Sequence, residues 1–269
     1  MDTRPVVFID SGIGGIPYCS HFLLRNPDES IIYLADRLNF PYGQKARDDV
    51  ARILLNLVDS LISKADPKLI VLACNTATVC GLKILREKYS QLPFVGTVPA
   101  IKPAVQASKT KNIGLLATER TVNETNIKEL KNQYAPSVIH GIAAPDLVEF
   151  VEKHLDDAQE AEKLAVVRRY VDQLRGLRAD VLVLGCTHFL FLADEFHREA
   201  DPDIQVFDSI EGITRRVEFL LDESDGKLRA DTGFHGKKTL ALTGTAPPDL
   251  TWVKRGDDIG FTLSLLEDL

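Results

Sequence analysis

The sequence predicts an α/β protein made of two pseudo-symmetric α/β domains with mainly parallel sheets and an active site in the cleft between them. Three observations carry this expectation. Leu69–Ala73 runs into Cys74-Asn75-Thr76-Ala77-Thr78, and Val181–Gly185 runs into Cys186-Thr187-His188-Phe189, so two apolar runs lead into near-copies of one loop. Each run is short, β-branched and without polar alternation, the pattern of a strand buried on both faces of a parallel sheet. Partway along, the order restarts: Asn112–Ala117 opens onto Thr118-Glu119-Arg120-Thr121 much as Val6–Ile9 opens onto Asp10 and Ser11.

Val6–Ile9 reads as a strand that delivers Asp10-Ser11-Gly12-Ile13-Gly14-Gly15 into a turn before a helix from Pro17 to Leu24. Glycines in such a turn let backbone amides approach a ligand closely. Ser30–Ala35 is the next strand, ending at Asp36 before the turn-rich Asn39-Phe40-Pro41-Tyr42-Gly43. Val50, Ile53, Leu54, Leu57, Val58 and Leu61 have helical spacing across 47–64. After the Cys74 strand come a helix over Val79–Tyr89 and a strand over Phe94–Val98. In the second half, helices are expected over Asn123–Asn132, Asp146–Leu155 and 157–175, with a short strand at Val138–His140 before the Cys186 strand. The remaining segment, with the strand Ile204–Phe207, the helix Ser209–Leu221 and the strand Thr239–Thr243, is expected to return to the first domain. The expected domains are 1–98 with 210–269, and 99–209, joined by proline-containing linkers near 99–104 and 202–210.

A chain of 269 residues with 45% hydrophobic and 26% charged residues has ample material for a buried core. Its net charge of −7 argues against general nucleic-acid or membrane-surface binding, which rewards a basic face, but leaves room for a small anionic ligand. Cys19, Cys74, Cys80 and Cys186 lack the short paired spacing of zinc sites. No metal site is expected. The amino terminus enters a strand directly, and no run approaches the ~20 apolar residues of a membrane span. The expected setting is the cytosol, where thiols stay reduced.

A cysteine at a strand end is ordinarily a core thiol. Two at equivalent places in two similar halves point instead to a shared task, on the carboxyl-end loops where open α/β sheets bind ligands. A helix beginning just beyond each would favour the thiolate. Such a thiol can act as nucleophile, redox partner or proton-transfer group. His188 stands two residues from Cys186, and Asp10 can meet Cys74 at one sheet edge, so each thiol has a helper. Asp10 can equally be a helix cap before Gly12. The hydroxyls of Ser11, Thr76, Thr118, Thr121 and Thr187, the Asn75 amide and the Tyr42-Gly43 backbone are candidate carboxylate donors, although each hydroxyl alone reads as a helix cap. Asp36 and Glu152 are candidates to bind an ammonium or to orient the histidine. Two acid/base groups flanking one small substrate suggest stereochemical inversion.

Some signals are absent. There is no Gly-Lys-Ser/Thr phosphate loop, Gly12-Ile13-Gly14-Gly15 lacks the G-x-G-x-x-G spacing, and no lysine stands out as a Schiff-base residue. Cofactor-free chemistry fits these residues better.

At these same residues the chain resembles the glutamate racemases of the cofactor-independent aspartate/glutamate racemase superfamily. Asp10-Ser11-Gly12-x-Gly14-Gly15, Pro41-Tyr42-Gly43, Ala73-Cys74-Asn75-Thr76-Ala77 and Gly185-Cys186-Thr187-His188 match four motifs in order. Val98–Ala104 and Leu116-Ala117-Thr118-x-x-Thr121 match two more. The resemblance implies two α/β domains around a buried cleft, with Cys74 and Cys186 as exchangeable acid and base, each serving one enantiomer. It implies Asp10 as partner of Cys74, His188 as partner of Cys186, and Glu152, after Ala144-Pro145, as the group orienting His188. The implied substrate-binding set, with the candidates above, is Asp10, Ser11, Asp36, Pro41, Tyr42, Gly43, Asn75, Thr76, Thr118, Thr121, Thr187 and His188.

Ala144 stands where many members have cysteine, and Leu190 where proline is usual; neither is a proposed acid, base or carboxylate donor. The resemblance also implies glutamate as substrate, D-glutamate for peptidoglycan synthesis in a bacterial cytoplasm, and a homodimer as a common assembly. The rival expectations are an aspartate racemase of the same superfamily, a non-catalytic ligand-binding protein, and a redox thiol enzyme, which the absence of Cys-x-x-Cys disfavours.

Overall fold

Continuous apolar runs become strands with neighbours on both sides because only a parallel sheet covered on both faces buries them completely. The computed structural model describes residues 2–123, 132–223 and 228–269. The chain divides into two compact units, Met1–Thr97 with Ile210–Leu269, and Val98–Ser209.

The first unit contains β1 (Val6–Asp10), β2 (Ile31–Ala35), β3 (Leu69–Leu72), β4 (Phe94–Gly96), β9 (Lys238–Leu242) and β10 (Thr262–Leu265), in the order β10-β9-β2-β1-β3-β4. Every pairing in it is parallel. Its helices are α1 (Ile16–Arg25), α2 (Arg47–Ala65), α3 (Asn75–Lys88), α9 (Ile210–Glu223) and α10 (Leu250–Asp258). The apolar stripe of α2 buries Val50, Leu54, Leu57, Val58 and Leu61 in one core with Val7, Ile9, Ile70 and Leu72. Each such side chain contributes about 1.5–3 kcal/mol of burial.

The second unit contains β5 (Asn112–Ala117), β6 (Val138–Ala143), β7 (Val181–Leu184) and β8 (Gln205–Phe207), all parallel, in the order β6-β5-β7-β8. Its helices are α4 (Ile101–Ala107), α5 (Glu119–Asn123), α6 (Pro145–Lys153), α7 (Glu160–Gly176) and α8 (Ala193–Ala200). The order β6-β5-β7-β8 repeats β2-β1-β3-β4 element for element. In each sheet the crossovers leave the central pair, β1/β3 or β5/β7, toward opposite edges, which opens a crevice at their carboxyl ends.

Several elements differ from the sequence expectation. α3 starts at Asn75 rather than Val79, because Cys74 is extended (φ −139°, ψ 123°) and serves as its N-cap. The expected linker at 99–104 runs into α4, with Pro103 in the first turn, where a missing N–H costs nothing. β8 pairs with β7 instead of joining the returning segment. The strand expected at Val138–His140 extends to Ala143. α10 and β10 are additional, α10 being capped by the Asp249 carboxylate, which accepts from the Trp252 amide at 3.0 Å. The helix expected over Asn123–Asn132 lies, for residues 124–131, outside the described residues. Among the described residues no helix is long and apolar enough to cross a membrane.

Asp180, just before β7, ties down the turn that leads into β5. It accepts from Ser108 Oγ at 2.6 Å, Thr110 Oγ1 at 2.8 Å, and the Lys109 and Thr110 amides at 2.6 and 3.0 Å. Burial disfavours its charge, but these donors outweigh it and lower its pKa from 3.8 to about 2. The folded value lies below the unfolded one, so the stabilisation is present above about pH 4 and disappears as pH falls through about 2. Asp180→Asn is expected to cost about 1 kcal/mol in urea unfolding at neutral pH, solvent access keeping the figure modest. The difference from wild type should shrink toward pH 2; a pH-independent cost would contradict this account.

Candidate active site

In the first unit, Asp10 ends β1 and Cys74 follows β3, so the central pair of strands delivers both to one sheet edge. Asp10 is fully buried, and its Oδ1 accepts from the Gly12 amide at 2.8 Å and from Ser11 Oγ at 3.5 Å. Asp10 thus closes the turn at Gly12 and does not cap the helix, whose N-cap is Gly15 without a side-chain bond. Tyr33 of β2, also fully buried, closes the same loop: its hydroxyl donates to Gly12 O at 2.8 Å and accepts from the Gly15 amide at 3.1 Å. A Cβ on Gly15 would stand 2.7 Å from Ala73 Cβ and 2.9 Å from Ala73 O, so this position admits only glycine and presses the loop against the residue before Cys74.

Cys74 is buried at the N-cap of α3, with buried Asn75 and Thr76 in the first turn, where unpaired helix amides and the positive dipole end favour an anion. Pro41 is extended and leads into a short 3-10 turn, Tyr42–Gln44, holding Tyr42 and Gly43. The buried Tyr42 phenol has its pKa pushed well above the usual tyrosine value, first by burial, then by Asp36, and further by Cys74 and Asp10. These four residues therefore form one electrostatic neighbourhood, in which the phenol stays protonated.

Asp36 departs from its expected role. Its carboxylate accepts from Tyr42 Oη at 2.6 Å, Thr243 Oγ1 at 2.7 Å, and Asn39 Nδ2 at 3.0 Å to each oxygen. A fully buried carboxylate engaged this way holds protein loops, its partners being Tyr42, Asn39 and Thr243.

In the second unit, Cys186 follows β7 and caps a 3-10 turn, Thr187–Leu192, rather than an α-helix. Thr187 and His188 are buried there, and Leu190, the departure from the family's proline, fits as a buried member of the turn. The His188 ring lies between two groups: Nδ1 is 3.8 Å from Cys186 Sγ and Nε2 is 2.7 Å from Glu152 Oε1. α6 supplies Glu152, packs against the 3-10 turn with Leu147 and Val151 buried, and is tied to α7 by the Tyr170 hydroxyl donating to Asp146 at 2.5 Å. Burial opposes charge on His188, but hydrogen bonds to Cys186 and Glu152, with their charges, hold its pKa well above 6.5. In its protonated form the ring donates to sulfur on one side and to carboxylate on the other. Thr118 follows β5 and Thr121 comes one turn later, their hydroxyls 3.0 Å apart; Thr118 Oγ1 accepts weakly from the Thr121 amide at 3.4 Å, so the capping reading describes it.

The candidate residues therefore gather in two sets. One is Asp10, Ser11, Tyr42, Gly43, Cys74, Asn75 and Thr76; the other is Thr118, Thr121, Glu152, Cys186, Thr187 and His188. The family model described as Asp/Glu/Hydantoin racemase matches residues 23–217. The chain belongs to that racemase family. It is similar to the glutamate racemase of Brucella anthropi, at 36% identity over 252 residues, covering 91% of this chain and 88% of that protein. Among solved structures, this family member is similar to the Escherichia coli glutamate racemase in complex with L-glutamate and the activator UDP-MurNAc-Ala. The TM-score is 0.84 at 32% identity, covering 99% of both chains. It is likewise similar to a glutamate racemase isoform from Bacillus anthracis, with a TM-score of 0.81 at 25% identity, covering 97% of this chain and 96% of that one.

Sequence reasoning missed Tyr33, Asn39 and Thr243, which hold the loops of this racemase from behind. A tyrosine inside the otherwise apolar run Ile31–Ala35 is the one local signal, since a buried hydroxyl needs a partner. Tyr33→Phe is expected to lower stability by about 1–2 kcal/mol, since it strands Gly12 O and the Gly15 amide. It should also speed amide exchange across 11–15; unchanged exchange there would show that the hydroxyl does not hold the loop.

A raised folded pKa means that the stabilisation from charged His188 is complete below about pH 6.5 and is lost as pH rises through the higher folded value. An NMR titration should place the His188 midpoint above 6.5 in wild type and lower in Glu152→Gln, which removes one anion. A wild-type midpoint at or under 6.5 would refute the buried relay.

Proposed function

We propose that the protein interconverts L- and D-glutamate without a cofactor, using Cys74 and Cys186 as acid and base. The observation that carries this reading is the Cys186–His188–Glu152 array at the end of β7, matched by Cys74 at the equivalent end of β3. The α-proton of an amino acid is weakly acidic, so its removal needs a thiolate held away from water and donors aimed at the charge that develops. In this reading one thiolate takes the α-proton and the other thiol returns a proton to the opposite face, the roles exchanging with direction. His188, positioned by Glu152, stabilises or reprotonates Cys186, and Asp10 serves Cys74. Ser11, the Tyr42-Gly43 backbone, Asn75, Thr76 and Thr187 hold the carboxylates, with Thr118 and Thr121 at the margin.

Glutamate as substrate is supported by the similarity to glutamate racemases, one of them in complex with L-glutamate. A supply of D-glutamate for peptidoglycan, a cytoplasmic location and a homodimer belong to the same reading.

The test incubates purified, reduced protein with L-glutamate in D2O without added cofactor, following α-proton loss by NMR and enantiomers by chiral chromatography, with L-aspartate in parallel. D-glutamate should form, and Cys74→Ser and Cys186→Ser should each slow racemisation by about 10²–10⁴-fold. Exchange of neither amino acid by folded protein overturns the reading; exchange of aspartate alone reassigns the substrate.

A further inference from the structure

Thr243 stands just beyond β9, and the fold carries it 207 residues along the chain to Asp36. Its amide donates to Ala35 O at 3.2 Å, which extends the β2/β9 ladder by one step. Its buried hydroxyl is used in both directions, donating to Asp36 Oδ1 at 2.7 Å and accepting from the Leu38 amide at 3.1 Å. Arg37 adds an outer clasp: Nε donates to Thr243 O at 2.9 Å, and the guanidinium also reaches the carbonyls of Pro247, at 3.4 Å, and Ala246. Gly244, with φ +86°, allows the chain to turn immediately after Thr243.

These bonds pin the backbone of residues 36–38 from one side, while the other carboxylate oxygen of Asp36 draws in the Tyr42 phenol at 2.6 Å. With its hydroxyl engaged, its ring buried and its carbonyl accepting from the Lys45 amide at 3.1 Å, Tyr42 has its amide to offer a ligand, together with that of Gly43. Small errors in the placement of such donors weaken binding, and a buried hydroxyl donating to a carboxylate is among the stronger neutral donors available to prevent them.

We propose that Thr243 is a positioning residue for glutamate: acting through Asp36, it fixes the Tyr42-Gly43 turn that binds substrate. This rests on the glutamate racemase reading above. Asp36 then belongs to the support of the turn, and the C-terminal segment takes part in substrate affinity without touching substrate.

The test compares Thr243→Val, which keeps the shape and removes the hydroxyl, with Thr243→Ser, which keeps the hydroxyl. For Thr243→Val, KM for L-glutamate should rise about tenfold with kcat within about threefold, the pattern of lost binding in ground and transition states alike. Thr243→Ser should return KM to near the wild-type value, and amide exchange across 37–44 should accelerate in the valine variant only. An unchanged KM in Thr243→Val, or a fall in kcat alone, overturns the proposal; so does unchanged exchange across 37–44. Should Thr243→Val not fold, Arg37→Gln loosens the same segment from outside the core, and unchanged KM and exchange in that variant likewise overturn it. Wild-type protein that exchanges no α-proton of glutamate overturns the racemase reading instead, and the exchange comparison still decides whether Thr243 holds the turn.

Discussion

Parallel strands can be joined only by crossovers that carry the chain back to the same edge, so every strand-to-helix turn in a unit emerges at the carboxyl ends. The rest of the structure depends on this constraint. In both units the central strands send their crossovers to opposite sides, and the crevice that results is where the strand-to-helix turns bring their side chains together. Asp10 with Cys74, and Thr118 with Cys186, occupy equivalent ends of β1/β3 and β5/β7.

The two thiols lie in electrically different surroundings. Cys186 has an imidazole beside it whose positive form is sustained by Glu152, so a negative sulfur there has an opposite charge at hand. Cys74 sits near the protonated Tyr42 phenol and among carboxylates, and relies on the amide end of α3. Cys19 shows what burial does to a thiol that has no such support: it is pushed far up, out of the reactive range. One topological place, used twice, thus contains two kinds of acid/base environment, and the difference comes from what α3 and α6 bring to it.

Much of this was legible in the sequence, because continuous apolar runs and positions next to them are local properties. The strands bearing Cys74 and Cys186 are marked by β-branched runs, the loop ends by small and hydroxyl residues, and the His188 partnership by a separation of two residues. The role of Asp36 was not legible: a carboxylate at a strand end can face a ligand or the protein, and which it does is decided by Thr243, more than two hundred residues away. The same holds for Tyr33, whose hydroxyl finds its partners in a loop belonging to another strand. β8 was assigned to the wrong segment for a related reason, since a run of three residues carries no label for the sheet it joins. The start of α3 was placed late because Asn75 and Thr76 are poor helix formers by propensity, whereas the N-terminal turn tolerates them when the preceding residue is extended.

The first unit is built from two stretches of chain with the second unit between them, and this has a bearing on how the protein is made. On a ribosome the second unit, ending at Ser209, is complete while β9 and β10 have yet to be synthesised. Until β9 emerges, β2 is an open edge, with unpaired amides and carbonyls along five buried-type residues, the kind of surface that recruits stray strands. A nascent chain stalled short of residue 238 would therefore carry a finished half and a sticky one, until β9 arrives to pair with β2.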